Sequence, residues 1–179
     1  MQVRPPRRLA PVGSQREYAK IHENARLLQR FFESVQAHDH PATAACYHPS
    51  ATFEDIAFYL KENKRIHAMW HMISLSDLEL SYEIEDADDL RGTARWQACY
   101  TFKSTDEDRN RKVHNELKSR FTFKDGLISQ QVDDSNAWNW SMQALGPVNG
   151  FVAWLIPAVR RGKAMEKLDK FIEEHPQYR

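Results

Sequence analysis

Two adjacent carboxylates, Glu54 and Asp55, follow Ala51-Thr52-Phe53 at the point where a helical pattern gives way to an extended one. On a strand, neighbouring side chains point to opposite faces. One acid therefore meets water and the other turns toward whatever the sheet encloses. A carboxylate aimed into an apolar enclosure is costly unless it is paired or used; an exposed strand-end acid or a cap is the structural alternative. A second acidic pair, Asp133-Asp134, closes the last extended stretch. His67 and His71 stand four apart in a helical stretch and share one face. That spacing could suit a metal, but Ala68 stands where zinc-protease helices carry glutamate. Pocket hydrogen bonding, proton shuttling or plain exposure fits them better, and no metal is expected.

The totals narrow the classes. At 179 residues the chain suits one domain with a real core, and 25 basic against 25 acidic residues leave no net field to favour nucleic acid. Cys46 and Cys99 match no metal or redox spacing and sit among apolar neighbours, so buried thiols in a reducing, cytoplasmic setting are expected. The chain shows no Gly-rich phosphate loop, no Gly-x-Ser-x-Gly elbow and no zinc finger; no cofactor and no nucleic acid are expected. Its longest apolar stretch, Val148 to Val159, is interrupted by Asn149, Gly150 and Pro157. Spanning a bilayer takes about 20 apolar residues, so no integral membrane association is expected. Apolar and basic residues adjoin at Phe151 to Arg161, which admits a membrane-surface role. Packing over the sheet or onto a second subunit is the commoner explanation.

The elements that must position these groups follow from periodicity. Residues 1–13, with Pro5-Pro6 and Pro11, read as a flexible leader. Ser14-Gln15-Arg16-Glu17 fits a capping box, and Tyr18, Ile21, Ala25, Leu28, Phe32 and Val35 behind it make the stripe of a long amphipathic helix. Asp39-His40-Pro41 stops that helix and can cap a short second one through about Tyr47, which His48-Pro49-Ser50 ends. After a strand around Phe53, Lys61 to Met72 reads as helix. The period then becomes two: Leu78 to Ile84, Ala94 to Phe102 and Val113 to Phe123 alternate, and Asp125-Gly126 turns the chain into Leu127 to Val132. Helix returns at Trp138 to Leu145, is broken by Gly146-Pro147, and resumes from Ala158 to Glu174. The predicted class is α+β, with helices packed on one side of a curved antiparallel sheet.

Several stretches, in this order and separation, resemble the nuclear transport factor 2-like superfamily, in particular its SnoaL-like and ketosteroid-isomerase-like branch. They are Gln29-Arg30-Phe31-Phe32 through His38-Asp39, Tyr47-His48-Pro49-Ser50-Ala51-Thr52-Phe53-Glu54-Asp55, and Phe121-Thr122-Phe123-Lys124-Asp125-Gly126. Trp138-x-Trp140 with Gln143-Ala144-Leu145-Gly146-Pro147 resembles a subgroup with a helical tail. The resemblance implies a cone-shaped, cystatin-like barrel over residues 14–145 and a C-terminal helical extension over 146–179. It also implies one deep, mostly apolar pocket for a small lipophilic ligand and a homodimer formed through the sheet.

In ketosteroid isomerases the carboxylate matching Asp55 is the general base, which makes Glu54 its outward partner. Their oxyanion donors match Phe31 and Ser119 here, so that mechanism lacks its electrophile; one such donor is worth about 2.7–4 kcal/mol. The Arg-x-Asp pair of limonene-epoxide hydrolases is absent. SnoaL-type polyketide cyclases use an acid near the end of the last strands, which Asp133 or Asp134 could supply. Alternation from Gln130 through Val132 puts Asp134 on the pocket face unless a turn exchanges the two. Expected pocket residues are Phe31, Tyr47, Phe53, His67, Trp70, Trp96, Tyr100, Ser119 and Phe121, with Tyr47, Tyr100 and Ser119 as polar tips; ordinary core packing is the alternative for each. The expected chemistry is cofactor-independent proton transfer, as in an isomerase or cyclase, on a steroid-, polyketide- or aromatic-like substrate. Asp55 would take a proton and His71 or Asp134 return one. A non-catalytic ligand-binding or dimerisation module of the same fold is the alternative.

Overall fold

The computed structural model describes residues 22–102 and 110–179, the side chains of 146–148, 150–155, 159 and 160 excepted. The leader, the Ser14 capping box and most of the charged turn before Lys112 lie outside the described residues. Helix α1 (Glu23–Gln36) buries Leu27, Leu28, Phe31, Phe32 and Val35 along one stripe, as its three-and-four spacing requires. Helix α2 (His40–Ala45) starts where expected: the Asp39 carboxylate accepts from the Ala42 amide at 3.0 Å, with Pro41 in the first turn.

Strand β1 (Tyr47–Glu54) begins earlier than the sequence suggests, taking in His48-Pro49-Ser50. Proline cannot donate to a ladder, but Pro49 falls in the register shift between Tyr47 and Thr52, where no donor is required. Strand β2 (Tyr59–Lys61) is too short to show as a pattern. Helix α3 (Asn63–Ser74) follows. Then come β3 (Glu79–Ala87), β4 (Arg91–Phe102), β5 (Arg111–Lys124) and β6 (Leu127–Ser135). Asp125 and Gly126, both at positive φ (54° and 72°), make the tight β5–β6 turn.

The described strands form one open, curved sheet in the order β2-β1-β6-β5-β4-β3. It is mixed rather than purely antiparallel, because β1 runs parallel to β6. Such pairing needs a long crossover, here everything between Glu54 and Leu127. Helix α4 (Ala137–Leu155) continues through Gly146-Pro147, where the sequence suggests a break. A proline inside a helix removes one hydrogen bond, and this helix absorbs that loss. The chain breaks instead at Ile156-Pro157, from which α5 (Pro157–Glu174) and a 3₁₀ turn (Pro176–Tyr178) run back across α3.

The α1 stripe packs on the sheet, and its Leu28 side chain lies over Gly92 on β4. A Cβ there would sit 3.0 Å from both Leu28 Cδ1 and Phe123 Cζ, and those two side chains are themselves buried. We expect Gly92→Val to cost about 1–3 kcal/mol of unfolding free energy by overpacking, and Gly92→Ala less, read from urea midpoints at constant m-value.

Candidate functional site

The concave face gathers its polar groups at one place. Tyr47 opens β1, and Trp70 projects from the buried face of α3. Trp96 comes from β4 and Ser119 from β5. Gln131 and Asp133 come from β6, where Ser119 and Asp133 are direct cross-strand partners. Asn63 helps fix the corner, since its amide donates to the carbonyls of Ala44 (3.0 Å) and Tyr47 (2.8 Å).

The face that β6 presents is set by an irregularity. Its register runs Phe123↔Ile128 and then Thr122↔Gln130, leaving Ser129 as an extra residue. Counting in twos from buried Ile128 would turn Gln130, Val132 and Asp134 inward. The bulge exchanges the faces, so that Gln131 and Asp133 are buried and Asp134 is exposed, paired with Arg120 on the outer surface. The expected inward position of Asp134 is thus corrected: Asp133 holds it.

Two chains of donors converge on Asp133. The Trp70 indole N–H donates to the Tyr47 hydroxyl at 3.1 Å, and Tyr47 donates a short hydrogen bond to Gln131 Oε1. The Gln131 amide donates to both Asp133 oxygens at 2.9 Å. On the other side the Trp96 indole donates to Ser119 Oγ at 2.8 Å, and Ser119 donates to Asp133 Oδ1 at 2.5 Å. Asp133 is 4% exposed, and Ser119 and Gln131 are fully buried. Burial is the largest influence and pushes the carboxyl up. The Ser119 and Gln131 hydrogen bonds oppose it, the charges of Asp55 and Asp134 add to it, and the net position is about 7. Desolvation therefore outweighs the donors, and Asp133 changes charge near neutral pH. Burial, with the Asp133 charge behind it, holds the Tyr47 phenol well above its usual range.

Asp55 sits at the rim. Its Oδ1 accepts from the amides of Ala57 (2.7 Å) and Phe58 (2.5 Å), which makes it the cap of the turn from β1 to β2. It is half-buried, and its charge reaches both Asp133 and Tyr100. Glu54 pairs with Arg161 of α5 at 2.9 Å, and the same guanidinium donates to the Asp55 carbonyl at 3.3 Å. Tyr100 accepts from the Trp140 indole at 2.7 Å, and burial pushes its phenol up to about 12.

Of the other expected pocket residues, Phe31, Phe53 and Phe121 are buried with Tyr47 and Trp70 in one aromatic cluster. Phe31 meets Tyr47, Trp70 and Phe121 edge-on at centroid distances of 5.7, 5.5 and 6.0 Å. His67 and His71 lie on another face of α3, toward His40 and the C-terminal residues, and their contacts are with those groups rather than with Asp133. Cys46 is buried as expected; Cys99 is not, standing on the exposed sheet face with its sulfur 3.2 Å from His114 Nδ1. Among the described residues no cluster of His, Cys, Asp and Glu is arranged to hold a metal.

Gln131 and Trp140 were not singled out from the sequence. Gln131 is hidden by the bulge, which no alternation pattern reports. Trp140 appears in the sequence only as part of the tail motif, and its partner Tyr100 lies 40 positions away.

The fold has known counterparts. A protein described as a provisional polyketide cyclase from Silicibacter sp. superposes with a TM-score of 0.60 at 22% identity, over 68% of this chain and 93% of its own. An LEH-like epoxide hydrolase from M. tuberculosis gives 0.54 at 17%, over 75% and 96%. SalBIII, an epoxide hydrolase/cyclase-like enzyme of pyran ring formation in salinomycin, gives 0.55 at 16%, over 62% and 88%. At these identities the likeness is one of fold. No curated protein matches the chain. The model of the SnoaL-like domain matches residues 28–131, more than half of the sequence, and spans α1 through the Gln131 side of the donor network. The chain belongs to the SnoaL-like domain family.

Proposed function

We propose that this protein is a cofactor-independent proton-transfer enzyme of the isomerase or cyclase type, acting on a lipophilic, enolisable substrate, with Asp133 as its acid/base. The observation that carries this reading is a buried carboxyl balanced near pH 7 at the meeting point of two donor chains. A group that gains and loses a proton at the working pH is the one general acid–base catalysis needs. Each neighbour that bonds Asp133 does so as a donor. The protonated carboxyl therefore needs an acceptor, either a turned Ser119 hydroxyl or an oxygen of a bound substrate. The negative charge of Asp55 raises the affinity of Asp133 for its proton, and an anion at that place does not stand in for the missing isomerase electrophile. The aromatic lining suits a steroid-, polyketide- or aromatic-like skeleton.

A non-catalytic binding or dimerisation module is the second reading, favoured by the burial of Trp70, Trp96 and Phe121 at 4%, 8% and 1% exposure. It leaves the burial of Asp133 as a cost without a return. Two copies would pair through the exposed sheet face. A groove of about 730 Å³ there is bordered by Glu83, Arg95, Glu116 and Lys118, and this alternation of signs can complement itself about a two-fold axis. The unpaired cysteines suit a reducing, cytoplasmic setting.

Wash-out of the α-protons of 2-tetralone in D₂O, followed by NMR, reads proton abstraction directly. Wild type is expected to exceed buffer, and Asp133→Asn to lose roughly 10²–10⁴ of the rate. Equal rates for the two proteins would leave the inert module. Stability should move the other way. The folded state holds the Asp133 proton more tightly than the unfolded chain does, whose carboxyl titrates at 3.8. Its contribution is therefore complete below about pH 3.8 and is lost as pH rises through about 7. Asp133→Asn removes that loss, so the variant should be the more stable protein at pH 8, by roughly 1–4 kcal/mol, and urea unfolding at pH 5 and 8 measures it.

A further inference from the structure

Away from Asp133, four histidines from three parts of the chain converge where α3 receives the C-terminus. His40 opens α2, His67 and His71 stand one turn apart on α3, and His175 follows α5. His40 Nδ1 lies 2.9 Å from His67 Nε2. The rings of His40 and His71 stack with centroids 3.8 Å apart and planes 16° from parallel. His71 Nδ1 bonds the hydroxyl of Tyr178 at 3.0 Å, and its ring lies 5.1 Å from that of His175. Tyr178, only 5% exposed, is the buried end of the chain, and its ring also meets His67 at 5.0 Å. His175 stacks in turn on Phe171 at 4.0 Å.

This arrangement tolerates neutral imidazoles and penalises charged ones. Two ring nitrogens 2.9 Å apart share a proton only while one of them keeps its lone pair; when both rings are protonated, N–H faces N–H. Two stacked cations at 3.8 Å repel, and the half-buried setting screens them less than water would. The segment is also attached by apolar packing of Leu168, Phe171, Ile172 and Tyr178 in the core, with Ala164 and Met165 against it, and by the Arg65–Asp169 ion pair at 2.5 Å. That pair is partly exposed and contributes little.

We propose that the histidine cluster makes the C-terminal segment, from about Ala164 to Arg179, a pH-sensitive clasp that is docked on α3 while the imidazoles are neutral and released when they take up protons. Burial lowers the proton affinity of His40, His67 and His71 below the ordinary 6.5, and the neighbouring imidazoles lower His67 and His71 further. Asp39, beside His40, pulls the other way. The docked state thus binds fewer protons than the released one. Docking is complete above about pH 6.5 and weakens as pH falls below it.

Hydrogen–deuterium exchange of the full chain at pH 7.5 and 5.5, corrected for intrinsic exchange, tests the clasp. Protection of residues 164–179 should fall about tenfold or more at the lower pH while β4 and β5 stay protected. A variant carrying His40→Asn and His67→Gln should lose no more than about twofold by the same linkage. Protection unchanged down to pH 5.5, lost only together with the sheet, or lost equally in the variant would overturn the proposal. If the variant fails to dock at pH 7.5, the wild-type Cε1–H titrations decide. Midpoints of His40, His67 and His71 below 6.5 support the clasp, and midpoints at or above it sink it.

Discussion

A carboxylate taken out of water, with no cation among the described residues beside it, organises the interior of this protein. Removing an anion from water costs several kcal/mol even after relaxation, and here only neutral donors answer it. Their geometry dictates the surroundings. Ser119 must lie directly across from Asp133, and Gln131 must share its face two residues earlier. Tyr47 must then reach Gln131 from a strand parallel to β6. The bulge at Ser129, the parallel pairing and the corner held by Asn63 are the backbone features that meet these conditions. The two tryptophans complete the donor chains at their outer ends and anchor them in the aromatic core.

The C-terminal helices are part of the same construction, although the matched family domain ends at residue 131. Trp140 ties α4 to Tyr100, Arg161 ties α5 to Glu54 and the Asp55 backbone, and Tyr178 ties the chain end to His71. Each tie is polar and meets the domain beside a titratable group. The extension also joins the core itself, since Leu168, Phe171, Ile172 and Tyr178 pack in the same hydrophobic cluster as α1 and the sheet.

How far the sequence reveals this depends on the range of the interaction. The strands β3 to β5 alternate because one face is buried and the other wet, so a period of two reports them directly. The Asp39 cap and the Asp125-Gly126 turn are local chemistry and are equally readable. The exchange of Asp133 for Asp134 is not, because a single extra residue inverts every side chain beyond it and leaves no mark on composition. The β1–β6 pairing joins segments some 80 positions apart and has no local signature. Pro147 misleads because its cost is a bounded loss that a 19-residue helix can carry. Asp55 is legible as an acid at a strand end, while its use as the cap of the β1–β2 turn depends on how the chain folds back at Ala57 and Phe58.

The ionisation of Asp133 itself is the most direct test. Infrared difference spectra between wild type and Asp133→Asn isolate the carbonyl stretch of a protonated carboxyl from the bands of the ionised form. The account predicts a protonated band at pH 5.5 that converts to the ionised form with a midpoint near 7. A carboxyl already ionised at pH 5.5 would show that the donors outweigh burial. Asp133 would then be a fixed anion, without the proton that the proposed chemistry needs.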